Sequence, residues 1–171
     1  IFKKHLAIHH SLQYAFVYVP EGYSTVSEEI EEEGEDNQQG DHLVLQYTNA
    51  IQMLNSKLRV FPYLGITPNK EELLQQFSKG EVHVLTSMKC LDEGVDIPRA
   101  ELAIFCSSTG NPRQFIQRRG RILRKHPDKH LATIHDLVVI PDYVSIENED
   151  TYNLERSLVQ KELERVAHFA F

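Results

Sequence analysis

The amino-acid sequence predicts an α/β fold: a three-layer α/β/α sandwich around a mostly parallel sheet. Short apolar β-prone runs alternate along the chain with segments whose apolar residues recur at helical spacing, which is typical of such folds. The length of 171 residues suits one domain, and 41% hydrophobic with 25% charged residues is usual for globular proteins. We expect this domain to span residues 1–145, followed by a C-terminal helix over 146–171 that packs on it or leads to a further domain.

The predicted strands are short. The first covers residues 14–19 and is followed by Pro20. Four more are predicted at residues 59–64, 82–86, 102–106 and 132–139. Because ligand-contacting loops follow the carboxyl ends of strands in a parallel sheet, the loops after the first, third and fourth strands are candidates for a functional site.

Helices are predicted between and after the strands. Residues 41–54 and 151–171 carry apolar side chains at helical spacing. Thr67 as N-cap and Pro68 at the first helical position predict the start of another helix, which Gly80 ends. Pro112 opens the helix that carries a cluster of arginines.

The charge is unevenly distributed. A net charge of −7, from 25 acidic residues against 18 Lys plus Arg, taken alone argues against a nucleic-acid partner. Seven of the acids, however, lie within residues 28–36, which we interpret as part of a flexible acidic loop inserted near residues 24–40. Arginines and lysines cluster instead within residues 113–129. The mean charge therefore does not exclude a ligand that carries phosphate.

Neither a membrane partner nor a metal site is predicted. No apolar run approaches the roughly 20 residues of a membrane span. Cys90 and Cys106 lie in apolar runs, which favours a reduced, cytoplasmic protein. His5 and His9 have metal-ligand spacing on a helix, but no carboxylate or thiol completes the set nearby, so a solvated helix face is the default interpretation.

The segment TSMKCLDEGVDIP, residues 86–98, follows the third strand. Gly94, followed by Asp96 and a proline, allows a tight turn that presents a carboxylate to the hydroxyls of a sugar. Thr86 and Ser87 can contact phosphate oxygens. The alternative is an ordinary strand-to-turn connection in which Asp96 only caps the turn.

The segment QFIQRRGRILR, residues 114–124, is predicted to be helical. Gln117, Arg121 and Arg124 then share one face. Two guanidiniums held by a helix have the geometry to grip a transferring phosphoryl group. Gly120 would let another backbone approach closely, while Phe115, Ile122 and Leu123 pack on the other side. The alternative is a solvated basic helix.

These segments together resemble superfamily 2 helicases. YAFVYVP, a Gly-x-Thr loop with its helix, VLTSMKCLDEGVDIP and QFIQRRGRILR occur in the order of the second, C-terminal RecA-like motor domain. That domain has the fold of a P-loop NTPase without its own P-loop. The segments EGVDIP and NPRQFIQRRGR are most similar to the DEAD/DEAH branch that includes restriction-enzyme motor subunits and repair-type DNA translocases.

The resemblance assigns roles to individual residues. It implies that Arg121 and Arg124 are catalytic and reach the γ-phosphate of ATP, with Arg124 as the arginine finger. Three residues would bind the nucleotide: Gln117, Gly94 and Asp96. Five would contact the nucleic-acid backbone: Thr86, Ser87, Thr67, Arg113 and Lys89. For Thr67, helix capping is an equally good interpretation.

Two motifs of a complete motor are missing from the sequence. It has neither a G-x-x-x-x-G-K-[ST] loop nor a strand ending in a DEAD or DEAH box. The resemblance therefore implies that ATP and Mg²⁺ are held mainly by an N-terminal RecA-like domain in cis, and that this chain alone is inactive. The implied partner is DNA rather than RNA, with restriction or repair subunits as further partners.

The sequence also allows a second function, that of a non-catalytic, helicase-like module that binds protein or nucleic acid. A Rossmann-type enzyme is disfavoured, because no G-x-G-x-x-G follows the first strand.

Overall fold

The computed structural model describes residues 1–20, 35–88, 97–106, 112–138, 140 and 149–167. Within them, five strands alternate with helices. The strands are β1 (Ala15–Tyr18), β2 (Val60–Pro62), β3 (Val84–Ser87), β4 (Leu102–Phe105) and β5 (Thr133–Asp136). The helices are α1 (Phe2–His9), α2 (Glu35–Gln52), α3 (Lys70–Ser78), α4 (Pro112–Ile122) and α5 (Glu149–Ala167).

The five strands form one sheet in the order β2-β3-β1-β4-β5, and every neighbouring pair is parallel. The predicted α/β class is therefore confirmed. The registers align the last residues of four strands in one row across the sheet: Ser87, Tyr18, Phe105 and Asp136. This row marks the carboxyl edge, where the sequence places its candidate loops.

Side chains of the central strands alternate between two buried clusters. Phe16 and Tyr18 point into the cluster that includes Phe77 of α3 and Phe115 of α4. The intervening Ala15 and Val17 point into the cluster that includes Val44 and Ile51 of α2 and is covered by α1. Because successive side chains of a strand face opposite sides, both faces of the sheet are covered by helices. The three-layer arrangement is confirmed.

Helix α2 begins at Glu35, earlier than the predicted residue 41. The end of the predicted acidic insertion is therefore helical, while residues 21–34 lie outside the described residues. Gly40 is buried in this helix, and a Cβ added there would lie 3.1 Å from the Sδ and Cε atoms of Met88. The glycine lets the helix pass close to the end of β3.

The predicted start of α3 at Thr67 is wrong. The N-cap is Asn69, in a left-handed conformation with φ 50°, and the helix begins at Lys70. The hydroxyl of Thr67 is used elsewhere: it accepts a hydrogen bond from the Leu64 N–H at 2.7 Å, which closes the preceding turn. The predicted stop is confirmed, because Gly80 has φ +77° and its N–H donates to the Phe77 carbonyl.

The prediction of a solvated face for α1 is wrong at His5, whose side chain is 8% exposed. Its Nδ1 lies 2.8 Å from Nε2 of His135 in β5, and its ring packs against that of His9. Burial lowers the pKa of both His5 and His135, and the neighbouring His9 lowers them further. The described residues contain no group of three metal-ligating side chains suited to a metal ion.

Helix α5 extends over residues predicted to be helical, but its apolar stripe is exposed. Leu154, Leu158 and Leu163 are each more than half exposed. In the part of the chain that the structure describes, no helix is long and apolar enough to cross a membrane.

Candidate functional site

Helix α4 packs on the carboxyl edge of the sheet. The ring of Phe115 lies with its centroid 5.5 Å from that of Phe105, the last residue of β4. Phe105 in turn stacks on Tyr18, the last residue of β1, at 4.7 Å. Phe115 and Ile122 are buried, as predicted for the inner face of this helix. Leu123 is 60% exposed, so its predicted packing is wrong.

Two consecutive arginines belong to this inner face, which the sequence analysis did not predict. Arg118 is 3% exposed and lies over the ring of Tyr18, 5.2 Å from its centroid. Its Nη2 donates to the carbonyl of Met88, directly after β3, at 3.3 Å. Arg118 thus connects α4 to two central strands.

Arg119 connects the same helix to the edge strand β5. Its Nη2 lies 3.1 Å from Oδ2 of Asp136, and both side chains are only about 10% exposed. The guanidinium also lies 4.1 Å from the ring centroid of Phe115. The terminal residues of β1, β4 and β5 therefore each contact one side chain of α4.

The outer face of α4 carries two of the predicted nucleotide-facing residues, Gln117 and Arg121, and Arg124 follows the helix. Gln117, Gly120 and Arg124 are exposed, and Arg121 is partly exposed. Within the described residues, a Cβ added at Gly120 would meet no atom within 4 Å. Nothing in this part of the structure therefore requires a glycine here, in the middle of a helix.

Arg124 differs from its predicted place on the helical face. The helix ends at Ile122, and Arg124 lies in the turn beyond it, with its N–H 3.4 Å from the carbonyl of Arg121. Pro127 disfavours a longer helix, because the residue before a proline avoids the helical conformation. Lys129 then satisfies one of the carbonyls left free at the helix end, since its Nζ donates to the Ile122 carbonyl at 2.8 Å. Gln117 and Arg121 keep the predicted helical spacing.

At the end of β3, Thr86 does not have the accessibility predicted for a phosphate contact. It is fully buried, and its hydroxyl lies 2.6 Å from that of Thr48 in α2. This hydroxyl is part of the interior hydrogen bonding between α2 and the sheet. The contact of Thr86 with the nucleic-acid backbone stays a prediction.

Ser87 is also fully buried, but its hydroxyl differs from that of Thr86. Among the described residues it has no hydrogen-bond partner. A buried hydroxyl without a hydrogen-bond partner is unfavourable. A further molecule that formed a hydrogen bond with the Ser87 hydroxyl would remove this cost.

Beside α3, a groove of about 450 Å³ lies near the other predicted phosphate contact, Thr67. Its walls are mostly apolar and include Phe61, Leu64, Ile66 and Pro68. Since the Thr67 hydroxyl is engaged in the preceding turn and the helix begins later, the geometry does not place Thr67 as an N-terminal phosphate ligand.

Four predicted site residues are only partly covered by the structure or not at all. Lys89, Gly94 and Asp96 lie outside the described residues. For Arg113, the structure describes its place in α4 and not its side chain. Their roles stay predictions.

A sequence signal for the inner arginines did exist. Phe115, Arg118, Arg119 and Ile122 follow the i, i+3, i+4, i+7 pattern of a buried helical face. Charged residues in such a pattern are usually predicted to be exposed, because a buried charge needs a partner and the sequence does not identify that partner. Asp136 and Lys129 were missed for the same reason.

Residues 23–126, more than half of the chain, match the family described as the helicase conserved C-terminal domain. This range includes all of β3 and α4, where most of the site residues lie.

Two relatives illustrate the range of proteins that contain a similar segment. The chain is 42% identical over 87 residues to the DNA 3'-5' translocase XPB2 of Sulfurisphaera tokodaii, covering 48% of this chain and 20% of that protein. It is 32% identical over 115 residues to the Dicer-like protein 2 of Pyricularia oryzae, covering 61% and 8%. The chain thus spans a fifth or less of the length of these relatives.

Solved structures support the fold alone, because their sequence identity is low. The ATP-dependent Type ISP restriction-modification enzyme LlaBIII bound to DNA has a TM-score of 0.53 at 17% identity, over 90% of this chain and 10% of that one. The E. coli DEAD-box protein SrmB has a TM-score of 0.52 at 16% identity, over 84% and 74%. The fold, the placement of α4 and the family match lead to one conclusion: the chain belongs to the helicase conserved C-terminal domain family, the RecA-like C-terminal domain of superfamily 2 helicases and translocases.

Proposed function

We propose that this chain is the C-terminal motor domain of an ATP-dependent superfamily 2 DNA helicase or translocase. In the complete protein, Arg121 and Arg124 would contact the γ-phosphate of ATP held by an N-terminal RecA-like domain. The observation that carries the proposal is the two-sided character of α4. Its inner face is fixed to the sheet through buried Arg118 and Arg119, while Gln117 and Gly120 face outward.

A helix whose arginines bind a transferring phosphoryl group has to be held in a fixed position. Catalysis of phosphoryl transfer depends on positioning and electrostatic stabilisation, and small displacements of the charged groups reduce it strongly. The guanidiniums of Arg118 and Arg119 bond to groups within the domain, so they do not compete for the phosphate. Arg121 and Arg124 lie beyond them toward solvent.

Gly120 also supports the proposal that the outer face of α4 meets the nucleotide or the facing domain. A glycine inside a helix destabilises it by about 0.5–1 kcal/mol relative to alanine. Because the described residues leave the space around Gly120 open, its use is best explained by close approach of another body, such as the nucleotide or the facing domain.

The site fits the phosphates of ATP, whereas the P-loop and the DEAD or DEAH box that hold Mg²⁺ and the phosphates in a complete motor are missing from the sequence. Guanidiniums recognise phosphate oxygens well. No group of three metal-ligating side chains suited to a metal ion occurs in the part of the structure that is described. We therefore assign the carboxylate for Mg²⁺ and the P-loop for the β- and γ-phosphates to the N-terminal domain. When bound, ATP with Mg²⁺ supplies the phosphoryl group whose transfer drives the motor.

DNA is the proposed track. The name of the Sulfurisphaera relative, a DNA translocase, supports this assignment. Ser87 is the proposed contact at the end of β3, together with Arg113 and Lys89, because a phosphate oxygen would satisfy its hydroxyl. Contact with a strand would first have to expose this side chain, which is buried. Restriction or repair subunits remain proposed partners.

The experiment compares ATP hydrolysis by the full-length protein and by this chain alone, each with and without single-stranded DNA or RNA. We expect hydrolysis by the full-length protein to rise with DNA more than with RNA, and we expect none from this chain alone. A full-length protein that binds nucleic acid without hydrolysing ATP would contradict the proposal and favour a non-catalytic binding module. Stronger stimulation by RNA would contradict the choice of DNA.

A further inference from the structure

The ammonium of Lys129, beyond the end of α4, contacts three backbone carbonyls. Its Nζ lies 2.8 Å from the carbonyl of Ile122, 2.9 Å from that of Pro98 and 3.1 Å from that of Ala100. An ammonium has three donors and no acceptor, so three carbonyls satisfy it completely. Burial lowers the pKa of this lysine. These contacts are too specific for a solvated basic residue.

The three carbonyls belong to two different segments. Ile122 is the last residue of α4, where helical carbonyls lack partners within the helix and favour a cation. Pro98 and Ala100 lie in the turn at residues 97–100, directly after residues 89–96, which contain Gly94 and Asp96. One side chain therefore joins the arginine helix to the segment that follows the other predicted nucleotide contacts.

A second contact joins the turn at residues 97–100 to Asp128, the residue before Lys129. Nη1 of Arg99, in the turn, donates to the carbonyl of Asp128 at 3.4 Å, and Arg99 also forms an ion pair with Glu101. Its guanidinium lies 3.8 Å from the ring centroid of Tyr14, beside β1. The turn that holds Lys129 is thus itself anchored to the sheet.

We infer that Lys129 is a positioning residue, which fixes the end of α4 against the turn at residues 97–100 and thereby places Arg121 and Arg124 for catalysis. The inference rests on the proposed function, in which these arginines contact ATP. Lys129 does not touch the nucleotide. Its loss releases the carboxyl end of the helix, which carries Arg121 in its last turn and Arg124 directly after it.

The test uses the full-length protein and its DNA-stimulated ATPase, measured well below the unfolding temperature. Lys129→Met removes the ammonium and keeps the length of the side chain, and Lys79→Met at an exposed lysine is the matched control. We expect kcat to fall about 10- to 100-fold for Lys129→Met with KM for ATP unchanged, because a misplaced transition-state contact affects kcat. The control should keep the wild-type kcat. An unchanged kcat in Lys129→Met would overturn the inference.

A double-mutant cycle separates positioning from simple destabilisation. If Lys129 acts through the two arginines, Lys129→Met causes no further loss in a background that carries both Arg121→Ala and Arg124→Ala, measured by single-turnover hydrolysis. The same fold-loss in both backgrounds would overturn the inference. If Lys129→Met fails to fold, Lys129→Gln, which keeps two amide donors, is measured with the same two decisive outcomes. A wild-type protein without ATPase overturns the proposed function and this inference with it, whereas normal Lys129→Met activity overturns this inference alone.

Discussion

The guanidinium of Arg119 and the carboxylate of Asp136 form a buried ion pair, 3.1 Å apart, between α4 and the last residue of β5. The pair lies at the edge of the sheet, where Asp136 is aligned with Phe105 in β4. Both residues of this alignment contact α4, since Phe115 packs on Phe105. The helix is therefore attached by charge at one strand and by aromatic packing at the next.

The first prediction concerns the stability contributed by this pair. Asp136→Ala leaves the Arg119 charge buried without its carboxylate partner, and we expect the free energy of unfolding to fall by about 3 kcal/mol. Arg119→Met combined with Asp136→Leu should cost less than Asp136→Ala, because an apolar pair of similar size avoids the buried charge. Urea denaturation measures both, with the exposed Arg156→Met as control. A loss below about 0.5 kcal/mol in Asp136→Ala would show that the pair is not effectively buried.

The second prediction concerns Gly120. Gly120→Ala should raise the free energy of unfolding of this chain by about 0.5–1 kcal/mol, because the new Cβ meets open space within the described structure. The same change should lower the ATPase kcat of the full-length protein, since the Cβ would occupy space that we assign to the nucleotide or the facing domain.

Gly40→Ala is the matched control for stability. Its Cβ would lie 3.1 Å from the Met88 side chain, so the gain in helix propensity should be offset by crowding inside the domain. If Gly120→Ala stabilises the chain and leaves kcat unchanged, the explanation of Gly120 by an external approach is wrong.

The third prediction is a pH dependence caused by His5 and His135. Burial holds the pKa of both below the ordinary value of 6.5, so the unfolded chain binds protons more readily than the folded one. Their contribution to stability is therefore complete above about pH 6.5 and is lost as the pH falls toward their lowered pKa values. We expect the free energy of unfolding to decrease between pH 7.5 and pH 5 for this reason.

The His5→Gln variant isolates this contribution. It should show a shallower decrease over the same pH range, while His83, whose pKa is also lowered by burial, is present in both proteins and cancels from the difference. Equal slopes for the variant and the wild type would rule out His5 as a cause.

The fourth prediction concerns the thiol of Cys106, after β4. Burial raises its pKa to about 12. Because the thiolate is the reactive form, its reaction with a disulfide reagent at pH 8 should be about 10³-fold slower than that of a free cysteine. A Cys90→Ser background restricts the measurement to Cys106, and the same protein unfolded in guanidinium gives the reference rate. Folded protein that reacts at the reference rate would contradict the burial of this thiol.

The order of elements and the parallel sheet were predictable from the sequence because the buried strands are continuous apolar runs. The runs at β1 and β4 lie between helices on both faces, and such strands carry few polar residues. Boundaries were less predictable. Residues 35–40 form the first turns of α2 but carry polar side chains and glycine, so no apolar period marks them.

The exposed residues of the site could be predicted from the sequence, whereas the buried contacts that attach α4 to the sheet could not. Gln117 and Arg121 occupy the predicted face because their spacing alone determines it. The buried states of Arg118 and Arg119 depend on Met88 and Asp136, which are distant in sequence. The end of α4 before Arg124 had a local signal, Pro127, because the residue before a proline disfavours the helical conformation.

The most direct test of the central claim is ATP hydrolysis by the full-length protein with Arg124→Ala. Loss of an arginine finger lowers kcat by about 10³- to 10⁵-fold in related phosphoryl-transfer chemistry, because the transition-state charge on the γ-phosphate is no longer neutralised. We predict a loss of this size, with the Kd for single-stranded DNA nearly unchanged, as measured by fluorescence anisotropy. A variant that hydrolyses ATP at the wild-type rate would contradict the role of Arg124 and the claim that this chain completes the ATPase site.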